Sequence, residues 1–235
     1  MKVLAIDSSG LVASVAIVSD NEMIAEYTVN YKKTHSQTLM PMINEIVEMT
    51  KTDLKELDGI AISKGPGSFT GLKIGAATAK GLGLVLDIPI IAIPTVDGIA
   101  YNLYKTKGII CPIMDARRNQ AYTGLYKWIN DEFTVLSEQK VAKIEELVKE
   151  INELNEEVIF LGDGVEIFKN QLKELVNVPY SYAPSHLSKQ RAGAIGALGI
   201  EYMKKGETIH ADNFAPSYLR KSQAERELAD KMGKK

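Results

Sequence analysis

The chain has 235 residues, of which 45% are hydrophobic and 25% charged, with a formal net charge of −2. That length allows one large or two small domains around a real core, and the near-neutral balance leaves no excess of Lys and Arg to grip nucleic acid unaided. The apolar opening from Lys2 stops at Asp7, too short for a signal peptide, and no other stretch approaches a membrane span, so the chain is expected in the cytoplasm.

Residues 2–7, 11–18 and 23–29 predict three strands in a meander, with tight connections at Asp7-Ser8-Ser9-Gly10 and Asp20-Asn21. A helix follows over about 36–50, capped by Thr34 or Ser36. Asp58 to Ser63 predicts a buried strand, then a glycine-rich loop opens a helix from Thr70 to Leu86. Ile88 to Ile93 predicts another strand, leading at Pro94-Thr95 into a short helix. The second part repeats the theme: strands at Ile109–Met114, Ala121–Trp128 and Phe133–Lys140, a helix at 143–152, a strand at Val158–Gly162 and a helix at 164–176. The repetition suggests an internal duplication, with residues 1–103 as the first subdomain and 104–187 as the second. A helix at 188–204 is expected to pack back on the first half, and the tail 205–235 is polar and poorly patterned.

The segment 63–83 is the most informative. On a helix, Gly71, Gly75, Ala79 and Gly83 fall at successive i+4 positions and make a ridge with almost no side chain. With Gly81, the helix glycines cost about 0.8–1 kcal/mol each against alanine, so about 3–4 kcal/mol has to be offset by a closely packed neighbour. That neighbour lies either in the same chain or in another. The helix at 36–50 has an apolar face (Leu39, Met40, Met42, Ile43, Ile46, Val47, Met49) wider than one sheet contact requires. The two helices together either bury these faces internally or offer a flat surface to a partner.

Motifs for other chemistry fail on spacing. Counting from Gly65 or Gly67 does not reach the Gly-Lys-Ser/Thr of a P-loop, and the third glycine of a dinucleotide fingerprint comes one place late at Gly71. Ser68 and Thr70 read as helix caps rather than nucleophiles. The single Cys111 excludes an intramolecular disulfide, and beside Pro112 in an apolar run it reads as core.

The β-β-β-α-β-α plan given twice resembles the actin, sugar-kinase and Hsp70 ATPase superfamily, an α/β fold of tandem RNase H-like subdomains. In that superfamily the first hairpin wraps the ATP phosphates, which would put Asp7, Ser8 and Ser9 at a vestigial nucleotide site. An Asp-Ser-Ser turn also reads simply as a capped hairpin. The second hairpin, Asp115-Ala116-Arg117-Arg118-Asn119, has two arginines too bulky for a phosphate cradle, although Arg117 and Arg118 could meet phosphate by side chain or form a solvated turn. Gly162-Asp163-Gly164 stands near the expected adenosine loop, and its acid suits a helix cap better than a phosphate.

Three motifs reach a family: Lys64-Gly65-Pro66-Gly67-Ser68-Phe69-Thr70-Gly71-Leu72-Lys73-Ile74-Gly75, then Met114-Asp115-Ala116-Arg117-Arg118 with Ala121-Tyr122, and Pro216-Ser217-Tyr218-Leu219-Arg220. Together they resemble TsaB, a bacterial subunit of the machinery that makes threonylcarbamoyladenosine in tRNA, over the whole chain. The paralogous catalytic family TsaD holds a metal through His-x-x-x-His on the first helix, whereas here His35 is followed at the fourth position by Leu39. The resemblance implies no catalytic residue, no metal and no cofactor, with at most weak ATP or ADP binding in a complex. It implies TsaD as heterodimer partner, the ATPase TsaE in a larger complex, a homodimer when TsaD is absent, and tRNA contact only through the complex. The implied partner surface is Leu39, Met42, Ile43 and Ile46 on the first helix, with Phe69, Gly71, Leu72, Gly75, Ala79 and Gly83 on the second. The tail, including Gln223, Ala224 and Glu225, is expected to dock on this chain or on TsaD. Two rivals stand beside this reading: an ATP-dependent sugar-kinase-like phosphotransferase centred on Asp7, and a glycoprotease-like metallopeptidase.

Overall fold

A computed structural model describes residues 1–31 and 34–220. The first sheet contains β1 (Lys2–Asp7), β2 (Ala13–Ser19), β3 (Met23–Val29), β4 (Gly59–Gly65) and β5 (Ile90–Pro94), in the order β3-β2-β1-β4-β5. The second contains β6 (Ile109–Asp115), β7 (Gln120–Ile129), β8 (Glu132–Lys143), β9 (Val158–Leu161) and β10 (Tyr180–Tyr182), in the order β8-β7-β6-β9-β10. The two orders are the same plan: the first strand of each half lies antiparallel to its hairpin partner and parallel to the strand after the helix.

Helices α1 (His35–Thr50) and α2 (Phe69–Leu86) flank β4 in the chain, α3 (Thr95–Ala100) follows β5, α4 (Ile144–Leu154) and α5 (Val165–Leu175) flank β9, and α6 (Ala192–Lys204) ends the series. Both faces of the first sheet are covered, which is why β1 is apolar nearly throughout. Leu4 and Ile6 pack in the cluster that includes Leu39, Ile43 and Ala79. Val3 and Ala5 point the other way, into the cluster with Ile195 and Leu198 of α6. Close approach of α6 depends on glycine, since a Cβ at Gly199 would stand 2.6 Å from that of Ala61. In the second sheet, Ile109, Cys111 and Ile113 pack with α4 and α5, while Ile110 and Met114 pack with Val96 and Ile99 of α3. Cys111 is fully buried, and burial pushes its thiol up to about 12, which makes it inert at neutral pH.

Three elements differ from the sequence expectation. Strand β10 was not predicted, because three residues after Val178-Pro179 carry no alternation to read. Helix α6 starts at Ala192 rather than at 188, leaving Ser188 to Gln190 outside it. The tail is not featureless: Ile209 exchanges two 2.8 Å backbone hydrogen bonds with Ile90, and Ala211 and Phe214 are buried. Its apolar residues are used singly, so no helical or strand period announces them. Gln223, Ala224 and Glu225 lie outside the described residues. Among the described residues, no helix is long and apolar enough to cross a membrane.

Candidate functional site

Ser68 opens α2 as its N-cap, accepting a hydrogen bond from the Gly71 amide at 3.3 Å. The ridge Gly71, Gly75, Ala79 and Gly83 then runs down the buried side of the helix. Its neighbour is the same chain, which corrects the expectation of a partner there. A Cβ at Gly71 would collide with the Ser8 carbonyl oxygen, and one at Gly75 with the Ser8 hydroxyl. At Gly83 it would stand 3.0 Å from Ala211 Cβ. Leu72 is 2% exposed, and Leu39, Met42, Ile43 and Ile46 belong to the same core cluster, so none of them is on offer to a partner. The sheet takes the whole inner face of both helices because its own strands present large Ile and Leu side chains there.

What remains outside is a second ridge, two residues out of step with the first and so about 200° around the helix. Phe69, Lys73, Ala77, Gly81 and Val85 all lie exposed along it at i+4 spacing. Val85 is 84% exposed and Leu84 beside it 48%. Among the described residues, a Cβ at Gly81 would meet nothing within 4 Å, so none of them offsets that glycine. On neighbouring α1, Met49 is 76% exposed and Met40 48%, with exposed Glu45 and Glu48 between them. The signal was in the sequence: Gly81 stands outside the 71-75-79-83 series and marks the other side.

The second candidate place is a cleft of about 570 Å³ between the two halves. The first half contributes Ser9, Gly10, Leu11 and residues 66–69, the second contributes Met114 to Arg117, Tyr122, Asp163 and Ile167, and Lys189 before α6 and Tyr218, Leu219 and Arg220 of the tail lie along it. Asp7 does not reach it. Its Oδ1 accepts hydrogen bonds from the Ser9 amide (2.9 Å), the Ser9 hydroxyl (2.7 Å) and the Ser63 hydroxyl (3.0 Å). Burial raises its pKa against the pull of those bonds. Ser8 donates its hydroxyl to the Gly71 carbonyl at 2.9 Å, and the Ser9 carbonyl accepts from the Ser68 amide at 2.6 Å. The Asp7-Ser8-Ser9 turn is thus a structural seam between β1 and α2.

The opposite wall presents oxygen groups together with the cation of Lys189. The Ala116 and Arg117 carbonyls accept from the Arg220 guanidinium, and Asp115 and Asp163 add carboxylates. Arg117 pairs with Asp115 at 3.3 Å and points largely to solvent, and Arg118 is exposed outside the cleft lining. Asp163 does not cap α5, whose N-cap position is Gly164. Burial raises the Asp163 pKa, and its Oδ1 has no hydrogen-bond partner among the described residues.

His35 hydrogen-bonds the Gly10 carbonyl through Nε2 at 2.8 Å, and His210 accepts from the Asp212 amide at 3.3 Å. Among the described residues, no three His, Cys, Asp or Glu side chains come together. Sequence reasoning missed Asp97 on α3, which joins the halves: it is 6% exposed and accepts from Tyr126 of β7 at 2.7 Å and from Tyr202 of α6 at 3.5 Å. Burial raises its pKa to about 6.

The sequence pattern of the family TsaD, tRNA N6-adenosine threonylcarbamoyltransferase, matches residues 22–228. The chain is similar to the tRNA threonylcarbamoyladenosine biosynthesis protein TsaB of Bacillus subtilis (strain 168), 32% identical over 225 residues and covering 96% of each chain. Among solved structures it is similar to YeaZ from Pseudomonas aeruginosa, with a TM-score of 0.80 and 24% identity over 93% of this chain and 99% of that one. It also shares its fold with a ROK hexokinase from Thermus thermophilus, with a TM-score of 0.51 and 8% identity over 88% of this chain and 100% of that one. The fold is the doubled sugar-kinase plan that the strand order predicted.

Proposed function

Since this chain belongs to the TsaB family of tRNA threonylcarbamoyladenosine biosynthesis proteins, we propose that its part in making that nucleoside is to bind and activate the catalytic subunit TsaD. The observation that carries this reading is the exposed outer ridge of α2, with exposed Met40 and Met49 on the two flanks of neighbouring α1. An apolar stripe with an unsupported helix glycine is what a second helix pair needs for close approach. TsaD would lay its own two front helices there and, held in a competent conformation, transfer threonylcarbamoyl from an adenylate to tRNA adenosine. This chain would contribute no catalytic residue and no cofactor. With a net charge of −2 it has no basic footprint, so tRNA would reach it only through the complex, in the cytoplasm. TsaE would join as a further partner, and without TsaD the same surface would pair two copies of this chain.

The test is to supply TsaD with tRNA and threonylcarbamoyl-adenylate, with and without this chain, and to measure both product and complex mass. The expected result is a complex of one copy each and turnover that depends on both subunits. Full turnover by TsaD alone, or turnover by this chain alone, would overturn the reading.

A further inference from the structure

The tail takes an unusual route. It is rooted in the first half, where Phe214 is 3% exposed and Lys80 of α2 donates to the Asp212 and Phe214 carbonyls at 2.9 and 3.2 Å. It then crosses the top of β4. The Ser217 amide donates to the Lys64 carbonyl at 2.6 Å, and Gly65, at φ +115°, leaves the space that the Ser217 carbonyl fills. Tyr218 packs against Phe69 with ring centroids 4.9 Å apart and the rings tilted by 42°. Two residues later, the Arg220 guanidinium hydrogen-bonds the Ala116 carbonyl of the β6–β7 turn in the second half, with the Arg117 carbonyl at 3.5 Å.

We propose that residues 214–220 form an intramolecular strap across the cleft that holds the two halves closed. Two lobes joined around a cleft open and close by small hinge rotations unless something spans the mouth. Here the strap spans it, anchored in a hydrophobic core at one end and by a planar, multi-donor guanidinium at the other. Its Nη1 reaches both carbonyls from a rigid planar group, where a lysine would hold them only from a flexible stem. The strap borders the cleft through Tyr218, Leu219 and Arg220 and leaves its volume of about 570 Å³ open. Lobe closure in this chain is then set by its own tail, with or without a bound small molecule.

Single-molecule energy transfer tests this in the full chain, with dyes at Lys55→Cys in the first half and Lys173→Cys on α5. Both positions are exposed, whereas the native Cys111 is buried and stays unlabelled. The otherwise unaltered chain is expected to show one narrow high-transfer population. Tyr218→Ala combined with Arg220→Ala, which removes side chains lying outside both cores, is expected to move at least half of the molecules to lower transfer. Arg220→Lys alone is expected to fall between the two. An unchanged single population in the double variant would overturn the proposal, as would equal opening in Arg220→Lys and Arg220→Ala.

Discussion

The two halves share one strand order and differ in what their helices turn outward. In the second half, α4 and α5 show solvent Glu145, Lys149, Glu153, Glu166, Lys169 and Lys173, with exposed Leu154 and Leu175 only at the helix ends and Ile167 at the cleft mouth. In the first half, α2 shows Phe69, Ala77, Gly81, Leu84 and Val85 with one lysine among them. Charged i,i+3 and i,i+4 pairs such as Lys169 with Glu166 finish the second face against water. Among the described residues, the first is finished only at Phe69, by Tyr218 and Lys73. A duplicated architecture thus supports one face made for solvent and one that is complete only when covered.

The inner seam of the first half should be the most sensitive place to disturb. Gly71→Ala drives a methyl into the Ser8 backbone, and a loss of more than about 3 kcal/mol is expected by urea unfolding, at the upper end for overpacking. Next comes the junction between the halves. Asp97 keeps its proton to about pH 6 in the folded protein against an ordinary 3.8. The stabilisation that Asp97 contributes is then fully present below about pH 4, falls by about 3 kcal/mol as pH rises through that window, and is gone above about 6. Asp97→Asn should remove most of that slope in unfolding series from pH 4 to 7, leaving a residue of the same sign from Asp7 and Asp163, whose pKa values burial also raises. On the outer face, Gly81→Arg should leave folding intact yet weaken TsaD binding by about 30-fold, the scale of a hot spot of about 2 kcal/mol. Lys173→Glu on α5 should leave that affinity unchanged. The smallest effect is a gain: Gly81→Ala fills open space on a helix and should stabilise the free chain by about 0.8–1 kcal/mol.

The same contrast shows what the sequence could and could not tell. Buried strands such as Lys2–Asp7 and the helix Phe69–Leu86 were legible because their periods are strong and local. The i+4 glycine ridge announced a close neighbour but could not say which chain supplies it, since Ser8 lies 63 residues away from Gly71. The wide apolar face of 36–50 was likewise visible, but its division into inner Leu39, Met42, Ile43 and Ile46 and outer Met40 and Met49 follows from where the sheet sits. The tail was illegible for a similar reason: Ile209, Ala211 and Phe214 each meet a different long-range partner. Asp163 looked like a cap because an acid before a helix usually is one, and only the cleft reveals its other orientation.

Methionine oxidation by hydroxyl radicals, read by mass spectrometry with and without TsaD, tests the outer face directly and carries its own control. Met40 and Met49 are expected to become protected in the mixture, while Met23, 48% exposed on β3, keeps its rate. Equal oxidation of Met40 and Met49 in a mixture shown by mass to contain the complex would contradict the assignment of this face to the partner.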